Sequence, residues 1–173
     1  ETAELRWLLS TSSQAGRNVG VDRLEAVLDA CASHLGCDGV MLWLADRQLE
    51  RMALRKPLAA PELETLRRLA RGSLAQEVAT RRRAMIVSKL RETPDGDLLP
   101  WTVIAAPVIE GGENRGLIMA FAQRDARRLS PRDARRLEHI VPRVLAATGI
   151  EHDPLTGLPA RHVFEDRRRT LLA

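Results

Sequence analysis

The sequence contains few aromatic residues and few cysteines. Aromatic residues make up 3% of the 173 residues, tyrosine is absent and there are two cysteines, Cys31 and Cys37. Two cysteines are too few for a disulfide framework, so we expect reduced thiols and a cytoplasmic location. The four histidines and two cysteines form no Cys-x-x-Cys or His-x-x-x-His pair, so we predict no metal site.

Long apolar runs and catalytic motifs are also missing. No apolar run approaches the roughly 18 residues that a bilayer span needs, so we predict no membrane contact for this segment. The first residues show neither an initiator Met nor a basic-then-apolar leader, and we expect the chain to be part of a longer protein. Because no nucleophile motif, glycine-rich phosphate loop or metal set is present, we predict no catalytic residue.

Arginine is abundant and gives the chain a net charge of +4, with an isoelectric point near 10. Such a charge invites a nucleic-acid interpretation. However, the arginines are spread among acidic neighbours, and no nucleic-acid motif or aromatic platform accompanies them. We therefore interpret them as solvated helix faces and predict no nucleic-acid partner.

Helical spacing and end signals recur along the chain. Leu5, Leu8 and Leu9 indicate a short leading helix. The pattern then predicts four more helices. The first runs from the Asp22/Glu25 capping pair to Gly36, and the second from Pro61 to Gly72. The third runs from a Ser73/Gln76 capping box to the arginines at 81–83, and the closing helix begins at Ser130-Pro-Arg-Asp133 and contains Pro142.

Strand patterns alternate with these helices. Residues 40–45 are continuously apolar, which is typical of a strand buried on both faces. A weaker strand surrounds Met52, and a short one covers residues 85–87. Two long apolar strands, 102–109 and 115–122, are joined by a glycine-containing hairpin turn. Residues 88–100 contain Pro94-Asp-Gly and Pro100, and we predict a surface loop that ends at an inward-facing Trp101.

This order of elements resembles a GAF domain over residues 21–150, behind a leading helix and linker in residues 1–20. The most similar stretches are Ile104-Ala-Ala-Pro-Val-Ile109, Arg115-Gly-Leu-Ile-Met-Ala120 and Leu129-Ser-Pro-Arg-Asp-Ala134. The resemblance implies an α+β fold, with an antiparallel sheet between helices and the N- and C-terminal helices on one face. It also implies a ligand pocket under helices and loops on the other face.

Trp43, Met85 and Trp101 are the candidate pocket wall, and the alternative is that they fill the core. Arg81–Arg83 lie beside the expected mouth, where they could bind an anion or simply face water. Covalent bilin attachment is disfavoured because both cysteines lie in the first forty residues, and haem is disfavoured because His139 lies in the closing helix. A small-molecule ligand is possible, but its identity and any cofactor stay open.

Residues 151–173 resemble the start of a GGDEF domain, the catalytic module of diguanylate cyclases. The resemblance rests on Asp153, Leu155, Thr156, Gly157, Leu158 and Arg161, followed by Phe164. Two positions depart from it: Ala160 replaces an expected Asn, and Arg169 replaces an expected acid, both of which contact guanine in that family. Alanine and arginine supply no acceptor to the guanine edge, so GTP recognition by the longer protein is in doubt.

The leading hypothesis is a signal-input and dimerisation domain that regulates an attached cyclic-di-GMP turnover module. The alternative is a ligand-free structural spacer, also dimeric, in front of a degenerate GGDEF domain. The homodimer is predicted because the apolar stripes of the first and last helices, Leu5/Leu8/Leu9 and Leu137/Val141/Val144, offer more apolar surface than one sheet face covers.

Overall fold

The computed structural model describes residues 22–149, with the side chains of residues 23–148. The predicted leading helix and the GGDEF-like motif lie outside these residues. The described helices are α1 (Asp22–Leu35), α2 (Ala60–Arg71), α3 (Ser73–Arg81) and α4 (Pro131–Gly149). The strands are β1 (Gly39–Leu44), β2 (Leu49–Leu54), β3 (Met85–Val87), β4 (Trp101–Glu110) and β5 (Glu113–Gln123).

The strands form one antiparallel sheet in the order β2-β1-β5-β4-β3. The two longest strands, β4 and β5, meet at a tight turn in which Gly111 and Gly112 both have positive φ, 60° and 84°. Glycine adopts these angles without steric cost, so the predicted hairpin forms at this point. The edges of the sheet are β2 and β3.

One face of the sheet packs against α2 and α3. Its core includes Met41, Met119 and Phe121 of the sheet together with Leu66 of α2 and Val78 of α3, all fully buried. The opposite face is buried as well, since Val40, Leu42, Ile104 and Ile118 have no exposed area. The buried residues of α1 and α4 lie outside the first cluster. The predicted α+β class, with strands buried on both sides, is confirmed.

The chain divides into two compact units, residues 28–141 and the segments that flank them on either side. The first unit contains the whole sheet with α2 and α3. In the described part of the second unit, Leu24 and Val144 are buried.

Two predicted helix starts have different outcomes. At α4, the Ser130 N–H donates to Asp133 Oδ2 at 2.9 Å and the Asp133 N–H donates to Ser130 Oγ at 3.3 Å, so this cap is confirmed. The capping box at Ser73 is wrong: Ser73 is the first helical residue, Gly72 occupies the N-cap, and no side chain bonds to the cap. Helix α3 follows α2 with only Gly72 between them, which leaves no room for a separate capping residue.

The apolar stripe of α4 is buried within the single chain. Leu137 and Val144 are fully buried and Val141 is 7% exposed. A charge at Val144 would therefore disturb folding whether or not the protein dimerises. The homodimer stays a prediction, and its test must use exposed residues.

Asp38, directly before β1, binds to both neighbouring strands. Its backbone N–H donates to the Phe121 carbonyl at 2.9 Å, and its own carbonyl accepts from Arg55 N–H at 2.8 Å. Its carboxylate accepts from Gln123 N–H and pairs with Lys56, each at 2.8 Å. Burial alone would raise the pKa of Asp38, but the Lys56 and Gln123 hydrogen bonds and the Lys56 charge together bring the pKa below its usual value.

We expect the stabilising contribution of Asp38 to be lost in acid. Its folded pKa lies below the unfolded value of about 3.9, so the contribution is complete above that pH and disappears as the pH falls through the folded pKa. Asp38→Asn should lower the free energy of unfolding by about 1–3 kcal/mol at pH 7, with a shrinking difference from wild type below about pH 4. Urea unfolding from pH 7 to pH 3 measures this. Exposed Asp29→Asn is the matched control, and a pH-independent difference would contradict the assignment.

Candidate functional site

The three predicted pocket-wall residues share one face of the sheet but do not meet. Trp43 lies on β1, opposite Leu117 of β5, whereas Met85 lies on β3, opposite Ala105 of β4. Strands β5 and β4 separate β1 from β3, so Trp43 and Met85 are about 14 Å apart across the sheet, three inter-strand spacings. Trp101 begins β4, four residues from Ala105.

Trp101 belongs to the core. It is 2% exposed, and its ring meets that of Phe121 edge to face, with 5.7 Å between centroids and planes at 87°. This geometry is favourable for aromatic pairs. Trp101 therefore turns inward, as the sequence predicts, and fills space beneath α2 and α3.

Trp43 is half-buried and covered by charged side chains. The Arg71 guanidinium carbon lies 5.1 Å from the centre of the Trp43 ring, a cation–π arrangement. Arg71 and Arg67, both on α2, bind the Glu50 carboxylate at 2.5 and 2.6 Å. Glu50 is the cross-strand neighbour of Trp43 on β2. These contacts join α2 to the β1–β2 hairpin and occupy one face of the Trp43 ring.

Met85 lines an open cleft of about 690 Å³, which we call the α3–β3–α4 cleft. Residues 84–87 form its floor at the edge of the sheet. The end of α3, the connection from α3 to β3 and the start of α4 form its walls. The wall residues are Glu77, Arg81, Arg83, Pro131, Ala134, Arg135 and Glu138.

The charges in this cleft are only partly neutralised. Arg81 pairs with Glu77 at 2.7 Å, one helical turn away. Glu138 is occupied by the backbone, because its Oε1 accepts from Ala84 N–H at 2.6 Å. Arg83 and Arg135 are exposed and make no ion pair or hydrogen bond within residues 22–149. The cleft therefore combines an apolar floor with two unpaired guanidinium groups, a combination suited to an anion.

Arg81–Arg83, predicted either to bind an anion beside a pocket mouth or to face water, are all exposed, and Arg81 and Arg83 line the α3–β3–α4 cleft. This cleft differs from the predicted pocket, because Met85 lines it but Trp43 and Trp101 do not. The sequence alone places Arg135 among the arginines interpreted as solvated helix faces, and it gives no prediction for Glu138. No sequence signal shows that α4 begins beside β3, so these two residues become part of the site only in three dimensions.

The described residues offer little for nucleophilic or metal chemistry. Among residues 22–149, no three His, Cys, Asp or Glu side chains are placed to hold a metal ion. Both cysteines are buried, and burial raises the pKa of Cys37 to about 11, while the pKa of Cys31 is raised further still. Such thiols are protonated near neutral pH and unreactive. The chemistry that this region supports is non-covalent binding.

The family follows from the sequence and the fold together. The sequence model of the GAF domain matches residues 21–147, nearly the whole described region. The chain belongs to the GAF domain family. GAF domains sense signals in many signalling proteins and are not themselves catalytic. No curated protein sequence matches this chain at a significant level.

Solved structures share the GAF fold at low sequence identity. The GAF domain of an Acinetobacter phosphoenolpyruvate-protein phosphotransferase superposes with a TM-score of 0.53 at 14% identity, over 86% of this chain and 98% of that one. The chromophore-binding domain of a Stigmatella aurantiaca bacteriophytochrome gives 0.54 at 12%, over 85% and 59%. GAF3 of a Synechocystis protein, in its photoproduct state, gives 0.50 at 17%, over 72% and 90%. At these identities the likeness concerns the fold alone.

None of the helices within residues 22–149 combines the length and apolar character that crossing a bilayer requires.

Proposed function

We propose that this GAF domain is the signal-input domain of a cyclic-di-GMP turnover protein. One observation carries the proposal: helix α4 ends at Gly149, and the residues that resemble the start of a GGDEF domain begin at Asp153, four positions later. Asp153, Leu155, Thr156, Gly157, Leu158 and Arg161 supply that resemblance. A sensory domain joined so closely to a catalytic module is well placed to regulate it.

Helix α4 supplies a physical route for the signal. Ala134, Arg135 and Glu138 in its first two turns line the α3–β3–α4 cleft, and the whole helix is 19 residues long, about 28 Å, ending four positions before the motif in the sequence. The Glu138 contact with Ala84 N–H fixes this helix to the β3 edge. A ligand or partner that changes this contact would shift a helix covalently joined to the module.

The regulatory role requires a second site and two states with different output. We propose a homodimer as the state that brings two GGDEF domains together, because the chemistry of that family needs two GTP sites. A small molecule is the proposed signal, of a class that stays open.

The test compares the full-length protein with a variant lacking residues 1–150, each incubated with GTP and Mg²⁺ or with cyclic di-GMP. We expect synthesis or breakdown of cyclic di-GMP to change by at least about fivefold when the GAF domain is removed, the lower end of typical coupling between sites. The isolated 173-residue chain should form no product above a boiled control. Equal rates with and without the domain would contradict regulation, and product from the isolated chain would show that the chemistry lies elsewhere.

The spacer hypothesis remains the second candidate, and one structural observation favours it. Trp101 and Phe121 fill the face beneath α2 and α3, where a GAF ligand is expected. Ala160 and Arg169 in place of guanine-contacting residues agree with a degenerate module. The same assay separates the two hypotheses: a spacer in front of a degenerate domain gives no synthesis from GTP in either protein.

A further inference from the structure

Strand β3 is an edge strand whose outer side forms the floor of the α3–β3–α4 cleft. Its three residues pair with β4 in the register Met85 to Ala105, Ile86 to Ile104 and Val87 to Val103. An edge strand exposes backbone donors and acceptors on its free side, and another extended chain can pair with them. Which residue exposes these groups follows from the hydrogen-bond alternation of the sheet.

The alternation is set at the start of β4. Arg124 N–H donates to the Pro100 carbonyl at 2.8 Å, just outside the Trp101–Gln123 pair. In an antiparallel sheet, a hydrogen bond between the two residues that flank a pair shows that the pair itself exchanges no hydrogen bonds. Trp101–Gln123 is therefore a non-hydrogen-bonded pair, and hydrogen-bonded and non-hydrogen-bonded pairs alternate from there along the two strands. Along β4, the backbone N–H and carbonyl groups of residues 102 and 104 therefore bond to β5. Those of residues 103 and 105 point towards β3.

On β3, the partners of residues 103 and 105 are Val87 and Met85. The backbone N–H and carbonyl groups of Val87 and Met85 are therefore hydrogen-bonded to β4. Ile86 lies between them and directs its N–H and carbonyl away from β4, into the cleft. Neither group has a hydrogen-bond partner within residues 22–149. Ala84, two residues earlier, faces the same way, and its N–H is already bound by Glu138. The free pairing edge is thus centred on Ile86.

Positive charge surrounds this free edge. Arg83 precedes the strand and Arg135 projects from the first turns of α4, and both are exposed without a described partner. Glu77 and Glu138 are occupied by Arg81 and by Ala84 N–H. An extended chain entering the cleft would meet one backbone donor, one backbone acceptor and two free guanidinium groups.

We propose that the α3–β3–α4 cleft binds an extended acidic segment of a partner protein, which adds a strand to β3. The outward N–H and carbonyl of Ile86 would pair with one backbone residue of the segment, and Arg83 and Arg135 would bind its carboxylates. A small carboxylate would satisfy only the guanidinium groups, and a basic segment would be repelled by them. This inference does not depend on the proposed role in cyclic-di-GMP turnover.

The probe is a synthetic heptapeptide of alternating glutamate and valine, with both ends blocked, titrated into the ¹⁵N-labelled 173-residue chain. We expect saturable shifts of the backbone amides of residues 84–88, and protection of the Ile86 amide from hydrogen exchange in proportion to the bound fraction. Because exposed ion pairs contribute, raising the salt concentration should weaken binding. Glutarate serves as the small-carboxylate probe and should not protect the Ile86 amide.

Two sets of controls separate backbone pairing from charge attraction. The same peptide with a central proline loses a backbone donor and should bind at least about tenfold more weakly. Arg83→Gln and Arg135→Gln should each weaken binding about two- to fivefold. Arg132→Gln is the matched control, because Arg132 is an exposed arginine of α4 that does not line the cleft.

Each alternative result overturns the proposal in its own way. Equal binding of the proline peptide would mean charge attraction without strand addition. Equal protection by glutarate would mean a small-anion site. Absence of shifts at residues 84–88 at millimolar peptide would mean that β3 does not accept a strand.

Discussion

Gly116→Ala should destabilise the domain severely. A Cβ atom at this position would overlap the carbonyl oxygen of Trp43 and approach Leu44 Cα to 2.9 Å. Both are backbone atoms of β1, so the overlap is relieved only by separating β1 from β5 in the middle of the sheet. We expect the free energy of unfolding to fall by more than about 3 kcal/mol, beyond the range of most single substitutions. Urea unfolding followed by circular dichroism measures it.

Gly111→Asn is the matched control for this prediction. Gly111 lies in the β4–β5 turn with φ of 60°, and nothing lies within 4 Å of a Cβ built there. Asparagine tolerates the left-handed region better than most residues, so the loss should stay below about 1 kcal/mol. A Gly116→Ala protein with the wild-type unfolding midpoint would show that β1 and β5 are not held as closely as described.

Phe121→Ala should cost about 3–5 kcal/mol, the usual range for removing a buried phenylalanine. Phe121 is fully buried, and its ring packs edge to face with Trp101. It also lies so close to Gly39 that a Cβ there would overlap the ring. Removing the ring leaves a cavity on the sheet face beneath α2 and α3 that the surrounding strands cannot close. Urea unfolding monitored by circular dichroism gives the free energy.

Phe121→Leu, which keeps most of the volume, should cost roughly 1–2 kcal/mol and serves as the graded control. A loss below about 1 kcal/mol for Phe121→Ala would indicate that this face adapts easily. That result would favour a GAF-type ligand pocket at Trp101 over the filled core described here.

Trp101 and Met85 differ in how well their burial could be predicted from the sequence. Trp101 follows a proline-containing loop and is large and apolar, so its burial follows from composition alone. Met85 has a similar apolar character, yet it lines an open cleft because β3 lies at the edge of the sheet. Apolarity predicts that a side chain turns inward; it does not predict whether a neighbouring strand or helix covers it.

Trp43 shows a second limit. Arg71 contacts Glu50 and the Trp43 ring, which lie 21 and 28 positions earlier in the chain. No local pattern pairs an arginine of α2 with a glutamate of β2. The arginines that sequence analysis assigns to solvent therefore include some that hold elements together.

The sequence by itself determined the elements of this domain, because local signals specify them: the Ser130/Asp133 cap, the paired glycines of the hairpin turn, and apolar runs long enough for doubly buried strands. Its similarity to the GAF family indicated that they assemble as an antiparallel sheet between helices, without giving the order of the strands. Only the tertiary structure decided which strand is left at the edge, where α4 begins beside it, and that Arg83 and Arg135 face the same cleft with no counter-ion among residues 22–149. These features depend on contacts between residues some fifty positions apart, such as Glu138 with Ala84, and periodicity carries no information about such pairs.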